Sequence, residues 1–490
     1  MTDSSSTRQV VNFGRNVSFE PASKYAPRTE EEVLQILRKH RGQQIRVMGR
    51  LHAWSPGVET DQVLIDLRHL NSVQVEDRDG LLWATVGGGC QMKRVLRELD
   101  QRGLTTPSIG LITQQAIAGA VSTGTHGSGK HSLSHYIDEV RVASYDPETG
   151  EPIVRTLHEG PELQAARCSL GGLGVILSVA FRCRSQYRVE EHARLYRTLQ
   201  EVLAKEPEFP LQQFFLFPWL WKYVAQHRRE TAQPRSWLAP LYRLYCFVTL
   251  DVGMHLVVLL FVKLLRSRGG TPWFFRWLFP WCVVRNWKVI DKSYDMLVME
   301  HDLFRHIELE LFVTRSQLPA AMDFVRQILC RFGGEREELS LAVRDQLASA
   351  NLLEELAAAA GQYMHHYPIC IRRVLPDDTL ISMSSGSGED WYSISFICYA
   401  WPQERETFFR FARFMTKAMV ILFQARPHWG KWCEIDLQQA EALYPRLVEF
   451  QSLCLAADPA GVFRNVWLQS MLFSSVSERD AEAVGSARQS

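Results

Sequence analysis

Hydrophobic and polar positions follow both helical and strand periods along the first third of the chain. A capping-box pattern at Thr29 and Glu32 precedes an apolar helical stripe that stops at Gly42. A second stripe over 95–99 stops at Gly103. The alternation typical of strands occurs over 63–67, 73–75 and 81–86. This mixture of short helices and strands predicts an α+β fold.

Two segments have the composition of loops that bind a large anionic ligand. In the first, an apolar strand ends at the glycine turn of Gly49, and a single imidazole, His52, follows. The second, 118–129, consists of small and hydroxylated residues, so its backbone can approach a ligand closely and donate N–H groups to phosphate oxygens. Its glycines run as G-x-x-G-x-G and open no βαβ unit, which argues against the G-x-G-x-x-G fingerprint. Together the loops indicate a dinucleotide cofactor.

The two loops resemble those of the sugar-lactone and alditol oxidases, an FAD-linked family of the vanillyl-alcohol-oxidase (PCMH) type that includes L-gulonolactone and D-arabinono-1,4-lactone oxidases. The resemblance extends from Asn12 to about Phe473 and implies an FAD-binding domain in two parts with an α+β cap domain. It also implies that His52 bonds covalently to the flavin, which a neutral imidazole nitrogen can do. The residues that the resemblance assigns to FAD are Val47, Met48, Gly49, Arg50, Leu51, His52, Ala53, Ser55, Gly119, Ser122, Thr123, Gly124, Thr125, His126, Gly127, Val175, Ile176 and Lys431.

The C-terminal half contains the residues that the resemblance implies in catalysis. The run RPHWGK at 426–431 is similar to the family's H-W-G-K motif, whose lysine reaches the flavin. A cation at Lys431 would stabilise the anionic reduced flavin. Arg372 matches the arginine of the family's E-x-R pair, which contacts substrate hydroxyls, but Cys370 stands where the glutamate would be. We therefore expect Cys370 and Arg372 to bind substrate, and Arg372, Lys431 and His428 to act in catalysis.

Two departures from the family pattern bear on the substrate. The D-D-x-x-x-S run at 377–382 secures the register that places Cys370 at the glutamate position. Because a thiol is a weak acceptor, we expect the recognised hydroxyl pattern to differ from that of gulonolactone. Ala116 stands where alditol oxidases have a serine near the flavin. The proton acceptor is left open: His428 is a candidate through its proximity to Lys431, and an orienting role for it is equally compatible with the sequence.

The expected reaction is oxidation of a CH–OH group of an aldonolactone or related polyol, with hydride passing to the flavin and electrons then to dioxygen. One alternative is a membrane-associated dehydrogenase of the same family that uses a quinone or cytochrome acceptor. Another is a flavoprotein with an altered catalytic site and a structural role, against which the retention of His52, Arg372 and Lys431 argues. The sequence contains no serine-hydrolase elbow and no H-E-x-x-H motif, so hydrolysis is not expected.

Composition narrows the class of protein. The 490 residues exceed what a single hydrophobic core usually serves, so two or three domains are expected. The 55 basic and 54 acidic residues nearly balance, which argues against a nucleic-acid partner. Ten cysteines without C-x-x-C pairs or metal-ligand spacing indicate reduced thiols, no metal and a cytoplasmic location. The polar start, Met1 to Gln9, predicts no secretory signal peptide.

Residues 219–287 differ from the rest of the chain in their density of Trp and Phe. The stretch 244–265 is largely apolar, but a central Asp251 would cost roughly 3 kcal/mol in a bilayer, so a clean transmembrane span is not expected. The aromatic run 273–281 suits a bilayer interface instead, where rings lie among headgroups. Packing within the cap domain or a subunit contact is the alternative. The neighbouring basic residues are Lys263, Arg266 and Arg268.

The domain organisation expected from these patterns has four parts. They are an FAD-binding PCMH-type domain at 12–185, a cap domain at 186–425 with the aromatic insertion 219–287, a C-terminal segment at 426–474 that completes the active site, and a disordered tail at 475–490.

Overall fold

The computed structural model describes residues 9–265, 269–299, 304–386, 388–399 and 402–473. Arg266, Arg268 and the tail expected to be disordered lie outside the described residues, as does nearly all of the polar N-terminal segment.

Twenty strands are present in the described part of the chain. They are β1 (Val10–Val11), β2 (Ser18–Phe19), β3 (Ser23–Tyr25), β4 (Ile45–Met48), β5 (Val63–Asp66), β6 (Val73–Arg78), β7 (Leu81–Gly87), β8 (Leu104–Thr105), β9 (Glu139–Tyr145), β10 (Pro152–Leu157), β11 (Val175–Arg182), β12 (Arg184–Ser185), β13 (Arg188–Tyr196), β14 (Gln213–Phe217), β15 (Lys222–Thr231), β16 (Val289–Lys292), β17 (His306–Thr314), β18 (Ile369–Val374), β19 (Trp391–Tyr399) and β20 (Arg426–Pro427).

Seventeen α-helices accompany these strands among the described residues. They are α1 (Glu30–Lys39), α2 (Met92–Asp100), α3 (Ile117–Ser122), α4 (Gly160–Ala166), α5 (Leu199–Leu203), α6 (Ala239–Cys246), α7 (Met254–Leu259), α8 (Gly270–Trp273), α9 (Phe279–Cys282), α10 (Ser293–Leu297), α11 (Leu318–Gly333), α12 (Leu341–Ser349), α13 (Leu353–Ala358), α14 (Pro402–Phe423), α15 (Leu437–Leu443), α16 (Leu447–Ala457) and α17 (Val466–Leu472). Short 3-10 turns occur at Pro56–Val58, Leu67–His69 and Leu133–Tyr136, and π-helical turns at Phe247–Gly253, Leu260–Leu264 and Phe274–Leu278.

The first helix begins where its capping pattern predicts. Thr29 Oγ1 accepts a hydrogen bond from the Glu32 N–H at 3.2 Å. The Glu32 carboxylate reaches one residue further back than in a standard capping box, since it accepts from the Arg28 N–H at 2.7 Å. The predicted apolar stripe is the buried face of α1. The α+β prediction is confirmed by the mixture of helices and sheets.

Two groups of sheets organise the molecule. On the N-terminal side, a three-stranded parallel sheet (β3-β5-β4) accompanies a five-stranded antiparallel sheet (β10-β9-β11-β7-β6). From β13 onward, an eight-stranded antiparallel sheet has the order β16-β13-β15-β14-β18-β19-β17-β20. One large core serves the N-terminal sheets, and a second lies between the eight-stranded sheet and α11 and α14.

The C-terminal segment returns to the N-terminal core. Trp429, Tyr444 and Phe463 are buried there among residues of the first sheets. β20 pairs with β17 at the edge of the eight-stranded sheet immediately before Trp429. The segment around 426–431 therefore joins the two cores, and this junction is where the functional residues meet.

Candidate active site

The loop after β4 is held in a conformation that presents His52. Leu51 has a positive φ of 56°, which is uncommon for a residue with a side chain. Its carbonyl accepts a hydrogen bond from the Phe13 N–H at 2.8 Å. The His52 ring then stacks on the Phe13 ring with centroids 5.1 Å apart. These contacts fix the imidazole at the wall of a deep cleft.

Four chain segments form most of that cleft, which we call the flavin cleft. They are the β4 strand with its loop to Ser55, the stretch 115–123 around α3, the glycine turn 170–176 and the run 428–431. The space enclosed is about 1140 Å³, including the open mouth. A Cβ built on Gly49 would lie 2.5 Å from the Ala116 Cβ, so the two loops approach closely only because residue 49 is glycine. An elongated cleft walled by small residues and backbone fits FAD.

The structure brings most of the predicted cofactor residues together and separates a few. Those that line the flavin cleft are Val47, Met48, Gly49, Arg50, Leu51, His52, Ala53, Ser55, Gly119, Ser122, Thr123, Ile176 and Lys431. Thr125 and His126 instead line a second cavity, and Gly127 lines a third. Gly124 packs against Met383, and Val175 is fully buried in β11.

Arg46, on β4, ties the walls of the cleft to one another. Its guanidinium donates hydrogen bonds to the carbonyls of Gly57 (2.7 Å), Leu170 (2.8 Å) and Phe463. Burial lowers the pKa of Arg46 to about 10 against the opposing charge of Asp458, so the side chain stays charged at neutral pH. One buried cation thus holds the His52 side of the cleft, the glycine turn and the C-terminal segment in register.

The second cavity, which we call the donor cavity, adjoins the flavin cleft. Gln115, His428 and Lys431 line both spaces, so they stand at the junction. The predicted substrate residues Cys370 and Arg372 line the donor cavity. The structure therefore brings the predicted catalytic and substrate residues to one place, at the end of the flavin cleft.

Two glutamates of β17 face the charged residues of the donor cavity. Glu310 Oε1 lies 3.0 Å from Arg372 Nη2 and 3.3 Å from His126 Nε2. Glu308 pairs with Lys431, whose Nζ also lies 4.4 Å from the centre of the Trp54 ring. All these charged side chains are at least nine-tenths buried.

Charge and burial together set the protonation of this group. Burial alone would raise the pKa of Glu310, but the charge of Arg372 and the neighbouring His126 outweigh it and hold the pKa well below its ordinary value. Burial lowers the pKa of His428 well below its ordinary value, so this ring is neutral. Burial raises the pKa of the Cys370 thiol to about 11. The cavity thus contains an ionised carboxylate, a guanidinium, a neutral imidazole and a neutral thiol.

Two polar atoms of the buried pair have no hydrogen-bond partner among the described residues. They are Glu310 Oε2, an acceptor, and Arg372 Nε, a donor. Buried polar groups are rarely left unsatisfied, and exceptions often mark functional sites. An alcohol hydroxyl both donates and accepts a hydrogen bond, so it complements this pair.

Sequence reasoning missed Glu308 and Glu310. In the eight-stranded sheet, Cys370, Ser395 and Glu310 stand in one cross-strand row, two strand spacings from end to end. The family pattern places a carboxylate at residue 370. In this chain the carboxylate of Glu310 lies two strands away, which is roughly 10 Å at about 4.8 Å between neighbouring strands. A signal was present: His306, Glu308 and Glu310 alternate with Ile307, Leu309 and Leu311, which puts polar side chains on one face of a buried strand.

His126, Glu310 and His428 offer ligand atoms within 4.8 Å of one another. His126 Nδ1 donates to the Gly127 carbonyl at 2.9 Å, because a carbonyl oxygen only accepts. His428 Nδ1 accepts from the Gly430 N–H at 3.0 Å. Arg372 already binds the Glu310 carboxylate. The three side chains therefore belong to a hydrogen-bond network around that anion.

Asp377 supports the site from behind. Its buried carboxylate accepts hydrogen bonds from the hydroxyls of Ser132, Thr379, Ser382 and Ser384 at 2.6 to 3.0 Å. These bonds join the loop after α3 to the loop after β18. Asp377 Oδ1 also accepts from the Thr379 N–H at 3.1 Å, so this carboxylate caps the turn that follows it.

Comparisons with known proteins agree with this arrangement. The sequence matches the family model for D-arabinono-1,4-lactone oxidase over residues 177–471 and the FAD-binding domain model over 21–149. A long-chain alcohol oxidase from an uncultured marine euryarchaeote is 52% identical over 464 residues, which cover 95% of this chain and 97% of that protein. An L-gulonolactone oxidase from Scyliorhinus torazame is 26% identical over 478 residues, covering 95% and 98%.

The solved structures that resemble the chain include cholesterol oxidase from B. sterolicum, with a TM-score of 0.72, 14% identity and coverage of 95% of this chain and 96% of that one. This likeness shows the fold, and the family models and relatives confirm FAD as the cofactor and an oxidoreductase activity. The chain is an FAD-dependent oxidase that acts on CH–OH donors, and it belongs to the D-arabinono-1,4-lactone oxidase family.

Proposed function

We propose that the donor hydroxyl binds between Glu310 and Arg372, where the flavin cleft meets the donor cavity. The observation that carries the proposal is the pair of unpartnered atoms, Glu310 Oε2 and Arg372 Nε, in a buried ion pair. Glu310 Oε2 accepts the hydroxyl proton, and the Arg372 Nε–H donates to the same oxygen. Bound FAD supplies the hydride acceptor.

The charged and polar residues of the site have separate roles in the proposed reaction. As the carbinol carbon loses hydride, its oxygen becomes a carbonyl and the proton remains on Glu310, whose Oε1 lies 3.3 Å from His126 Nε2. Arg372 stabilises negative charge on the oxygen while the proton leaves. Lys431, at the junction, would hold a cation against the reduced cofactor. His428 is neutral and orients the Gly430 turn through its Nδ1.

Exchange of Glu310 for Gln tests the proton acceptor. The variant keeps the side-chain shape and loses the carboxylate, so we expect flavin-loaded protein whose anaerobic bleaching by donor is at least about 100-fold slower. Glu206→Gln is the matched control, because Glu206 is a buried carboxylate paired with Arg315 and Tyr392 outside both cavities. Bleaching of Glu310→Gln at the wild-type rate would remove Glu310 from this role.

We also propose that His52 forms the covalent bond to FAD. Its position in the wall of the flavin cleft and its fixed ring support the proposal. On a denaturing gel under ultraviolet light, the wild-type band should fluoresce and His52→Ala should be dark. His131→Ala, a partly buried histidine outside the flavin cleft, should fluoresce like wild type. A dark wild-type band would show that the cofactor is held without a covalent bond.

Two classes of donor are compatible with the proposed chemistry. The family and the gulonolactone oxidase relatives favour an aldonolactone or related polyol. The relative at 52% identity favours a long-chain alcohol. Dioxygen is the proposed electron acceptor in both cases, and stopped-flow reoxidation in air, compared with a quinone under nitrogen, tests it.

A membrane surface is a further proposed partner. The helix Ala239–Leu264 is long and apolar enough to cross a bilayer, with a mean hydropathy of 2.1, yet Tyr242, Met254 and Val258 are packed against the cap domain. This packing supports a helix that lies along a bilayer surface.

The proposed domain limits are those expected from the sequence, with FAD bound by 12–185 and the donor by 186–425 and 426–474.

A further inference from the structure

One cross-strand row of the eight-stranded sheet runs along the donor cavity from Glu310 through Ser395 and Cys370 to Phe215, so Glu310 marks a polar end and Phe215 an apolar end. The polar lining residues are Gln115, Thr125, His126, His306, Glu308, Glu310, Cys370, Arg372, Ser395, His428 and Lys431. The apolar lining residues are Leu111, Ile112, Phe215, Met299, Tyr367, Pro368 and Ile397. A sugar lactone has hydroxyls around its ring, and each would need a partner when buried. The side chains of the apolar end provide one hydroxyl, that of Tyr367, and it is bonded to His255 at 2.9 Å.

The apolar end continues into the cluster that carries the exposed helices. Phe215, Tyr367 and Ile397 belong to the same apolar cluster as the inner faces of α7 and the segment 274–279. We call this group the cap cluster; its buried members are Phe217, Trp219, Val224, Met254, Val258, Phe274, Phe275, Phe279, Tyr367 and Tyr399. One continuous layer of apolar side chains therefore separates the donor cavity from the outer surface of these helices.

That outer surface is the main exposed apolar area of the described chain. Of 22 exposed large hydrophobic residues, 14 lie between Trp237 and Val284. The aromatic run is split by face: Phe274 and Phe275 are buried, whereas Trp273 and Trp277 are 53% and 68% exposed. Exposed apolar area of this extent marks an interaction surface.

Charge favours an anionic bilayer as the occupant of this surface. Between residues 237 and 288 the sequence has seven Lys or Arg and one acidic residue, Asp251. Three of the seven, Arg243, Arg276 and Lys288, form ion pairs with carboxylates outside this stretch, so the positive excess comes from Lys263, Arg266, Arg268 and Arg285. Exposed Trp side chains next to basic residues are typical of interfaces with anionic lipid. A soluble protein partner would not explain why the same helices back the apolar end of the cavity.

The wall between helix and cavity carries no formal charge. His255 Nε2 and Nδ1 each lie 2.9 Å from a hydroxyl, of Tyr367 and Tyr399, and the ring stacks on Phe304 at 4.3 Å. Burial lowers the pKa of His255 to about 3, so the imidazole is neutral at physiological pH. A hydrocarbon chain could lie against this wall without desolvating an ion.

Resting on the oxidation proposed above, we propose that the donor is an amphiphilic long-chain alcohol that enters the donor cavity from an anionic bilayer, with its hydroxyl at Glu310 and Arg372 and its chain along Phe215, Tyr367 and Ile397. For donors dissolved in water, each methylene placed in the apolar end should raise kcat/KM about fourfold, the value expected when one CH₂ is removed from water. The rise should end when the chain has filled the cavity.

The test measures anaerobic flavin bleaching by primary alcohols from butanol to octanol dissolved in water, by butanol and hexadecanol presented in vesicles of phosphatidylcholine with phosphatidylglycerol, and by an aldonolactone. Ile397→Trp should abolish the rise with chain length by filling the apolar end. Ile421→Trp is the matched control, because Ile421 is exposed on α14 outside the cavity. If Ile397→Trp lacks flavin, Ile397→Phe is measured instead and should shorten the preferred chain.

The exposed apolar surface is tested by the double variant Trp273→Ser with Trp277→Ser. The control is the double variant Leu341→Ser with Val448→Ser, which replaces two exposed apolar residues elsewhere on the protein. The Trp variant should lower the ratio of hexadecanol to butanol oxidation at least tenfold in anionic vesicles, and the control should keep it. No rise with chain length, the same rise in Ile397→Trp as in Ile421→Trp, or an unchanged ratio in the Trp variant would overturn the inference. Bleaching by the aldonolactone alone would also overturn it and leave the proposed oxidation standing, whereas no bleaching by any donor would refute the oxidation itself.

Discussion

Replacement of Arg372 by Met removes the charge that holds the Glu310 carboxylate ionised. The guanidinium lies 3.0 Å from the carboxylate, and both side chains are buried. Without the guanidinium, His126 is the main group that opposes the effect of burial on the pKa of Glu310. That pKa therefore rises. In the proposed mechanism Arg372 also donates to the substrate oxygen, and loss of one such donor slows the chemical step by about 100- to 1000-fold.

Stability should change with a definite pH dependence. In the wild type, the lowered pKa of Glu310 contributes stability above its ordinary value of 4.5, and this contribution is lost as the pH falls through the folded-state pKa. In Arg372→Met the sign is reversed, because a buried carboxylate with a raised pKa costs stability until it is protonated. Breaking a buried ion pair costs about 3 to 5 kcal/mol at neutral pH. The deficit in Tm should therefore shrink as the pH falls toward 4.5.

The assay is anaerobic stopped-flow reduction of the flavin over a range of pH, together with thermal unfolding. The acid limb of the reduction rate should move to higher pH in Arg372→Met, whereas Arg372→Lys keeps a charge and should leave the limb closer to wild type. Arg373→Met is the matched control, since Arg373 pairs with Asp390 at 3.4 Å on the other face of β18. An acid limb at the same pH in wild type and Arg372→Met, with equal rates, would refute the coupling of Arg372 to Glu310.

Three further changes test other parts of the site. Lys431→Met should retain flavin and slow its anaerobic reduction by about 100-fold; an unchanged rate would refute a role for the cation. Asp377→Ala should lower the stability by about 3 kcal/mol or more because several buried hydroxyls lose their acceptor, and half-exposed Asp378→Ala is the thermal-unfolding control. Gly129→Ala should prevent folding, since its Cβ would lie 1.8 Å from a carbonyl oxygen, whereas Gly160→Ala, at a similar φ in open space, should cost about 1 kcal/mol; equal yields of soluble protein would contradict the steric argument.

Local patterns in the sequence were sufficient to predict most of the residues that line the cleft after β4. The helix stripes, the Gly49 turn, His52 and the 426–431 run are each contained within a few residues, so their spacing predicts their conformation. Close approach at Gly49 and the positive φ at Leu51 agree with that prediction. The fold class, the cofactor and the family follow from these local signals.

The donor end of the site depended on tertiary structure. The alternation of Glu308 and Glu310 is visible in the sequence, but their meeting with Arg372 requires β17 and β18 to flank β19, and sheet order is a long-range property. In the same way, a helix that is apolar on all sides does not reveal which side is packed, so the sequence could not separate buried Phe274 from exposed Trp273 and Trp277. The sequence by itself determined which side chains this protein has for oxidation, because each motif lies within a few consecutive residues. Tertiary packing decided which carboxylate lies beside Arg372 and which apolar face remains exposed, because both depend on neighbours distant in the chain.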